Sequence, residues 1–220
     1  ITIGMPACPA TRAAASLERL CQSHPEKAVA PYYLARCFVA LERWPKAKAA
    51  LARALKVDPG HVPAVALSAF IAAKQGEPAK AQAERARAAA LAVEQGASAR
   101  AWLRAFDAEL DHDWDGVVKA EEDAGPIDVE GAASDYLAFE TLFRRGQARL
   151  QTRKLVGAAA DFRQLVTLEP QRLEPALLAA KVDYLTGSRA SAEAGFKRLH
   201  TDARPEARDG IARWVIETYR

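Results

Sequence analysis

The sequence carries a pattern of small and bulky residues that recurs at intervals of 34 positions. Pro25 and Pro59 stand 34 residues apart (25 to 59). Counted from Ala28 as position 1, positions 7, 11, 17, 20, 24, 27 and 32 are Leu34, Phe38, Trp44, Ala47, Leu51, Ala54 and Pro59. Apolar residues at such intervals predict two short amphipathic helices in each unit. Because one helix pair cannot bury its own apolar face, a chain of this kind folds by stacking its units.

The same pattern returns further along the chain. Counted from Phe139, positions 8, 10, 17, 20, 24, 27 and 32 are Gly146, Ala148, Leu155, Ala158, Phe162, Leu165 and Pro170. We therefore predict a single array of about twelve helices over 1–220. It consists of a half repeat, five repeats and a capping helix: 9–27, then 28–61, 62–97, 98–138, 139–172 and 173–204, then 205–220. An apolar stripe marks the capping helix: Ile211, Trp214, Val215 and Tyr219.

Composition supports a globular, helical chain. Alanine supplies 50 residues and aromatic residues only 7%, which favours closely packed helices over sheets. No stretch has the ~18 consecutive apolar residues of a membrane span. The net charge of +3 is too small to indicate a nucleic-acid partner. Three cysteines, an odd number, favour a reducing compartment, and we expect a cytoplasmic location.

These residues resemble the tetratricopeptide repeat, a helix–turn–helix unit of 34 residues. The resemblance implies an all-α fold in which the repeats form a right-handed superhelix with a concave groove. It also implies a scaffold or adaptor that binds a peptide or another protein without catalysis, cofactor or metal. The abundance of alanine and the preference for arginine over lysine indicate a bacterial source. The oligomeric state cannot be read from the sequence.

An enzyme is not expected, because no nucleophile stands at a suitable spacing from any of the four histidines. An alternative is that the repeats regulate, or recruit substrate to, a larger enzyme of kinase or glycosyltransferase type. The chain opens at Ile1 with the second helix of a repeat, and we expect it to be a piece of a longer product.

By resemblance, positions 2, 5, 9, 12 and 13 of each repeat face the groove. The predicted partner-binding residues are Tyr32, Arg36, Phe70, Lys74, Trp102, Phe106, Phe143, Gln147, Lys181 and Tyr184. Aromatic anchors with a few cations suit an extended peptide that carries carboxylates. The alternative is that several of the aromatic residues fill the core and that Arg36 and Lys181 are ordinary surface charges.

An acidic segment from Asp107 to Glu130 holds ten carboxylates and a single lysine. We expect it to be a solvated face or a second partner surface. Part of it fits the calcium-loop pattern D-x-D-x-D-G-x₅-E, with oxygen ligands at Asp111, Asp113, Asp115 and Glu122. Gly125-Pro126 stops the helix that such a loop requires. We therefore interpret these residues as the turn of the third repeat, with calcium as a minor alternative.

Overall fold

The computed structural model describes residues 7–123, 136–170, 172–203, 208–212 and 215. Within them the chain is all-helical and contains no strand, which confirms the predicted fold class. The helices are α1 (Ala7–Ser23), α2 (Val29–Ala40), α3 (Trp44–Val57), α4 (Val62–Lys74), α5 (Pro78–Gln95), α6 (Ala97–Leu110), α7 (Trp114–Glu122), α8 (Tyr136–Gln151), α9 (Leu155–Leu168), α10 (Leu173–Leu185) and α11 (Arg189–Asp202). Residues 208–212 and 215 are also helical.

The turn inside each helix pair has one residue in the left-handed region. These residues are Glu42, Gly76, His112, Arg153 and Gly187, with φ of 54°, 74°, 59°, 61° and 84°. Each lies 14 positions after the predicted start of its repeat (28 to 42, 62 to 76, 98 to 112, 139 to 153, 173 to 187). The first helix of every pair therefore ends at the same point of the pattern.

A shared hydrogen bond closes these five turns. The residue after the left-handed one donates its N–H to the carbonyl five residues before it. The pairs are Arg43 to Phe38 (2.8 Å), Glu77 to Ala72 (2.9 Å), Asp113 to Ala108 (2.9 Å), Lys154 to Arg149 (2.8 Å) and Ser188 to Asp183 (2.9 Å). This is the bond of a Schellman motif, which satisfies a carbonyl that the ending helix leaves without a partner. The second helix begins directly afterwards.

The contacts divide the chain into two compact units, Ile1–Leu103 and Arg104–Arg220, called unit 1 and unit 2 below. The boundary falls within α6. The predicted single array therefore remains a prediction, and each unit is described by itself.

Unit 1 is built around α4, whose residues from Val62 to Ala72 are buried except for the half-buried Ser68. Helix α4 packs on α5, and α2 packs on α3 and on α1. The small residues of the repeat pattern allow this close packing, since Ala47 and Ala54 are fully buried on α3. Arg85, at the position where the pattern has a bulky apolar residue, is exposed.

Three apolar clusters lie within the residues of unit 2 that the structure describes. The largest joins α8, α9 and α10 through Leu142, Ala158, Phe162, Leu165 and Val182, all nearly inaccessible. A second cluster contains Val117, Val118 and Ala120 of α7 with Ala105 and Ala148. In the third, Ala180, Ala192 and Phe196 pack with Val215 of the predicted capping helix. Trp214 and Tyr219 of that helix lie outside the described residues.

Candidate functional site

In unit 1 the predicted groove residues differ in their accessibility. Tyr32 and Phe70 are buried, at 1% and 8% exposure, so they act as core residues. Arg36 is half-buried and Lys74 is exposed. Both cations lie near aromatic rings. The Arg36 guanidinium is 5.9 Å from the Tyr32 ring and 5.8 Å from that of the half-buried Tyr33, and the Lys74 Nζ is 5.5 Å from the Phe70 ring.

The two predicted anchors of α6 are also buried. Trp102 is 1% exposed and Phe106 is 6% exposed. Trp102 and Phe106 therefore expose little surface to a partner, as do Tyr32 and Phe70, and their role in partner binding stays a prediction. The physical reason for this burial is volume. Large rings fill core volume that small side chains cannot fill, and their burial removes a large apolar area from water.

In unit 2 the predicted residues of α8 keep part of their surface. Phe143 and Gln147 are half-buried. The Phe143 ring stacks on Phe139 at 6.0 Å with an interplanar angle of 13°, and it meets the core ring of Phe162 edge-on at 6.4 Å. The Arg172 guanidinium lies 4.1 Å from the centroid of the Phe139 ring. The row of three rings therefore ends at Phe139 with a guanidinium group packed over it.

On α10, Lys181 and Tyr184 are half-buried. The Arg189 guanidinium, from the start of α11, lies 6.0 Å from the Tyr184 ring. The predicted residues therefore fall into two classes. Four aromatic residues are buried, and the other six keep some exposure: Arg36, Lys74, Phe143, Gln147, Lys181 and Tyr184.

Within the described part of the acidic segment, which ends at Asp123, several carboxylates pair with cations of unit 2. Asp113 caps α7, because its Oδ1 accepts the Gly116 N–H at 2.9 Å. Asp115 lies 2.7 Å from the Lys154 Nζ, Glu122 lies 2.7 Å from an Arg149 nitrogen, and Asp123 lies 3.6 Å from an Arg104 nitrogen. This pairing does not favour the interpretation of the segment as a second partner surface.

The calcium alternative gains no geometric support from these positions. Three of its four predicted ligands, Asp113, Asp115 and Glu122, have the partners given above, and Asp111 is exposed. Across the described ranges, no three His, Cys, Asp or Glu side chains group so that they could hold a metal ion.

Arg144 forms the centre of a buried ionic cluster that the sequence prediction missed. It is only 5% exposed and contacts three carboxylates, at 3.1 Å to Glu109, 3.2 Å to Glu121 and 3.6 Å to Glu140. Glu121 is fully buried and Glu140 is 5% exposed. The available signal was Glu121 itself, a carboxylate at position 24 of its repeat, where the pattern has a bulky apolar residue.

A second group adjoins the first along α8. Asp161 of α9 is 2% exposed and lies between two guanidinium groups, 2.7 Å from Arg145 and 2.8 Å from Arg149. Arg149 also binds Glu122. The three arginines of α8 are thus held by carboxylates from α6, α7, α8 and α9.

Burial changes the ionisation of Glu121. Desolvation raises the pKa of this carboxyl from 4.5 to about 7, against the opposing effect of Arg144 and Arg145. Glu140 raises it further. A group that titrates near neutrality therefore sits between α7 and α8.

Comparison with known proteins finds similarity to one repeat family over part of the chain. Residues 10–69 match the family model described as Tetratricopeptide repeat. No curated protein matches the chain. None of the described helices is long and apolar enough to cross a membrane.

Two solved structures show the fold. The chain is similar to PilF of Pseudomonas aeruginosa, with 19% identity, a TM-score of 0.53 and coverage of 87% of this chain and 85% of that one. It is also similar to yeast Tom70, with 12% identity, a TM-score of 0.59 and coverage of 94% of this chain but 42% of that one. At these identities the likeness concerns the helical repeat fold alone.

Proposed function

We propose that this chain, a tetratricopeptide repeat protein, is a non-catalytic scaffold that binds an acidic segment of a partner protein on the first helices of its repeats. Proteins built from this repeat act in general as interaction modules. The finer assignment, an acidic ligand on the predicted groove face, is inferred from the side chains that keep exposure there.

One observation carries the proposal: accessible cations are held near aromatic rings. In unit 1 these are Arg36 with Tyr33, and Lys74 with Phe70. Arg36 is position 9 of its repeat and Lys74 is position 13 of the next one, both predicted to face the groove. A ring that restricts the stem of a cation lowers the entropy that the cation loses on binding a ligand.

Unit 2 also holds cations near rings of its first helices, although these two cations lie outside the first helices themselves. Arg172 lies over Phe139, and Arg189 lies near Tyr184. Arg172 also pairs with Glu169, whereas Arg189 is exposed. Guanidinium groups bind carboxylates through two parallel N–H donors, which gives such contacts direction as well as charge. The ligand chemistry that fits these residues is a chain segment with carboxylates and apolar side chains.

Peptide binding by the full chain tests this proposal. The probe is a pool of fluorescent 12-residue peptides that contain Glu, Asp and Leu, compared with matched peptides in which Gln and Asn replace the acids. Fluorescence anisotropy gives Kd for wild type, Arg36→Glu and Lys74→Glu. Lys56→Glu is the matched control, because Lys56 is exposed on α3, the second helix of its repeat.

We expect the acidic pool to bind more tightly than the amide pool. Each groove variant should weaken binding by about 5-fold or more, the loss of roughly one charged contact. Lys56→Glu should leave Kd within about 2-fold of wild type, since its charge is remote from the proposed face. Equal binding of the two pools, or an equal loss with Lys56→Glu, would contradict the proposal.

A further inference from the structure

Around Arg144, unit 2 contains more buried negative charge than its cations balance. Three carboxylates contact this one guanidinium, from Glu109, Glu121 and Glu140. The adjoining arginines do not correct the excess, because Arg145 and Arg149 share Asp161, and Arg149 also binds Glu122. Glu122 is exposed, so the buried and half-buried part of the cluster, with every group ionised, has four carboxylates and three guanidinium groups. Such an excess is costly away from water.

Within this cluster, Glu121 is the carboxylate whose ionised form is most destabilised by burial. Its side chain has no exposed surface. One oxygen contacts Arg144, while the other, Oε2, is buried and accepts no hydrogen bond from the part of the chain that the structure describes. A carboxylate oxygen without a donor is far more expensive to bury than the oxygen of a neutral acid. Protonation of Glu121 removes that cost and leaves Arg144 with Glu109 and Glu140.

We propose that Glu121 is a protonation switch that sets how firmly α7 packs on α8, with the neutral acid as the tight form. Among the described residues, the charged groups that face it are Glu140, Arg144 and Arg145 on α8 and, across Arg144, Glu109 on α6. On α7 itself, Lys119 and Glu122 are on the exposed side. Loss of the proton places a third carboxylate on Arg144 and weakens the contact.

The direction of the pH effect follows from linkage. The pKa of Glu121 is raised to about 7 in the folded chain from its ordinary 4.5, so the folded state holds the proton more tightly than the unfolded state does. The stabilisation is complete below pH 4.5 and is lost as the pH rises through 7. Arg144 is next to Phe143 on α8, so the switch would act on the helix that carries part of the proposed ligand face. The switch itself does not depend on the proposed acidic ligand.

The experiment compares urea midpoints of the full chain at pH 6 and pH 8 for wild type, Glu121→Gln and Glu122→Gln. Glutamine imitates the neutral acid at position 121. Glu122→Gln is the matched control, because it is the same change on the next residue, which is exposed. We expect the urea midpoints of wild type and Glu122→Gln to fall as the pH rises from 6 to 8. The midpoint of Glu121→Gln should fall clearly less. The three proteins contain the same histidines, so the contribution of histidine titration to the pH dependence cancels when a variant is compared with wild type.

A second measurement needs no variant. The carbon-13 chemical shift of the Glu121 carboxyl, followed by NMR from pH 4 to pH 9, should titrate near neutrality. Hydrogen exchange of α7, corrected for the intrinsic rate, should be faster at pH 8 than at pH 6 relative to α9. A Glu121 titration near pH 4.5, or an unchanged pH slope in Glu121→Gln, would overturn the proposal. If Glu121→Gln does not fold, the NMR titration decides alone.

Discussion

A Cβ atom on Gly146 would lie 2.7 Å from Cε1 of Phe162. Real side chains do not approach so closely, so α8 and α9 pack at a separation that only glycine allows at this position. Phe162 is fully buried in the main cluster of unit 2. The small residue at position 8 of this repeat is therefore a requirement of the helix packing.

Replacing Gly146 by alanine should destabilise the fold. The added methyl must displace the Phe162 ring, and overpacking of this kind costs about 1–3 kcal/mol. Gly210→Ala is the matched control, since a Cβ at Gly210, also in a helix, meets nothing within 4 Å. Both variants gain the same helix propensity. The difference between their urea denaturation curves should be about 1–3 kcal/mol, and equal stability would contradict the packing argument.

The left-handed turn residues predict a stabilising change. Glu42 adopts φ of 54°, where a side chain is strained and glycine is not. Gly76 and Gly187 occupy the equivalent turns. Glu42→Gly should raise the free energy of unfolding by about 0.5–1 kcal/mol, even after the greater freedom of glycine in the unfolded chain is counted. Glu42→Ala removes the side chain but keeps the strain, so thermal denaturation should show no comparable gain.

Much of the repeat organisation was readable from the sequence. Spacing alone separates first helices from second helices, because the small and bulky positions recur in a fixed order. The left-handed residue could not be read from residue type, since Glu42, His112 and Arg153 occupy it as well as glycine. There the Schellman geometry is set by the ending helix and by the packing on either side, which overrides the local preference of the residue.

The burial of the predicted site residues was harder to read from the sequence than the fold, for a physical reason. Position in the repeat says which way a Cβ points, but not how much space lies beyond it. In this chain rings such as Trp102 are buried in the core. The acidic segment misled for a related reason, because its partners are arginines such as Arg144, more than twenty residues away in sequence.

His61 caps α4 with its ring. The Nδ1 atom accepts the Ala64 N–H at 3.1 Å, and the ring packs 5.2 Å from that of Tyr32. His61→Ala should lose the cap, at about 1 kcal/mol, together with the packing of a buried ring. Asparagine is a strong capping residue, so His61→Asn should recover about 1 kcal/mol relative to alanine in urea denaturation. Identical stability of the two variants would show that the ring packs but does not cap.

The two buried thiols of unit 1 should react slowly. Cys21 and Cys37 are 2% and 3% exposed, and burial raises the pKa of both thiols. Because the thiolate is the reactive form, both effects slow modification. A Cys8→Ser variant leaves only these two cysteines. A thiol reagent should modify neither of them rapidly in buffer and both of them in denaturant. Rapid reaction of either in the native state would mean that α1 opens from α2.

Asp161 should be the most sensitive single charge in unit 2. It is 2% exposed and contacts both Arg145 and Arg149, so Asp161→Ala leaves two partly buried guanidinium groups without this carboxylate. Removing one partner of a buried pair costs about 3–5 kcal/mol. Asp115→Ala is the control, because it breaks the exposed pair with Lys154 and should cost less than about 1 kcal/mol. Similar urea midpoints for the two variants would mean that water reaches the arginines and replaces Asp161.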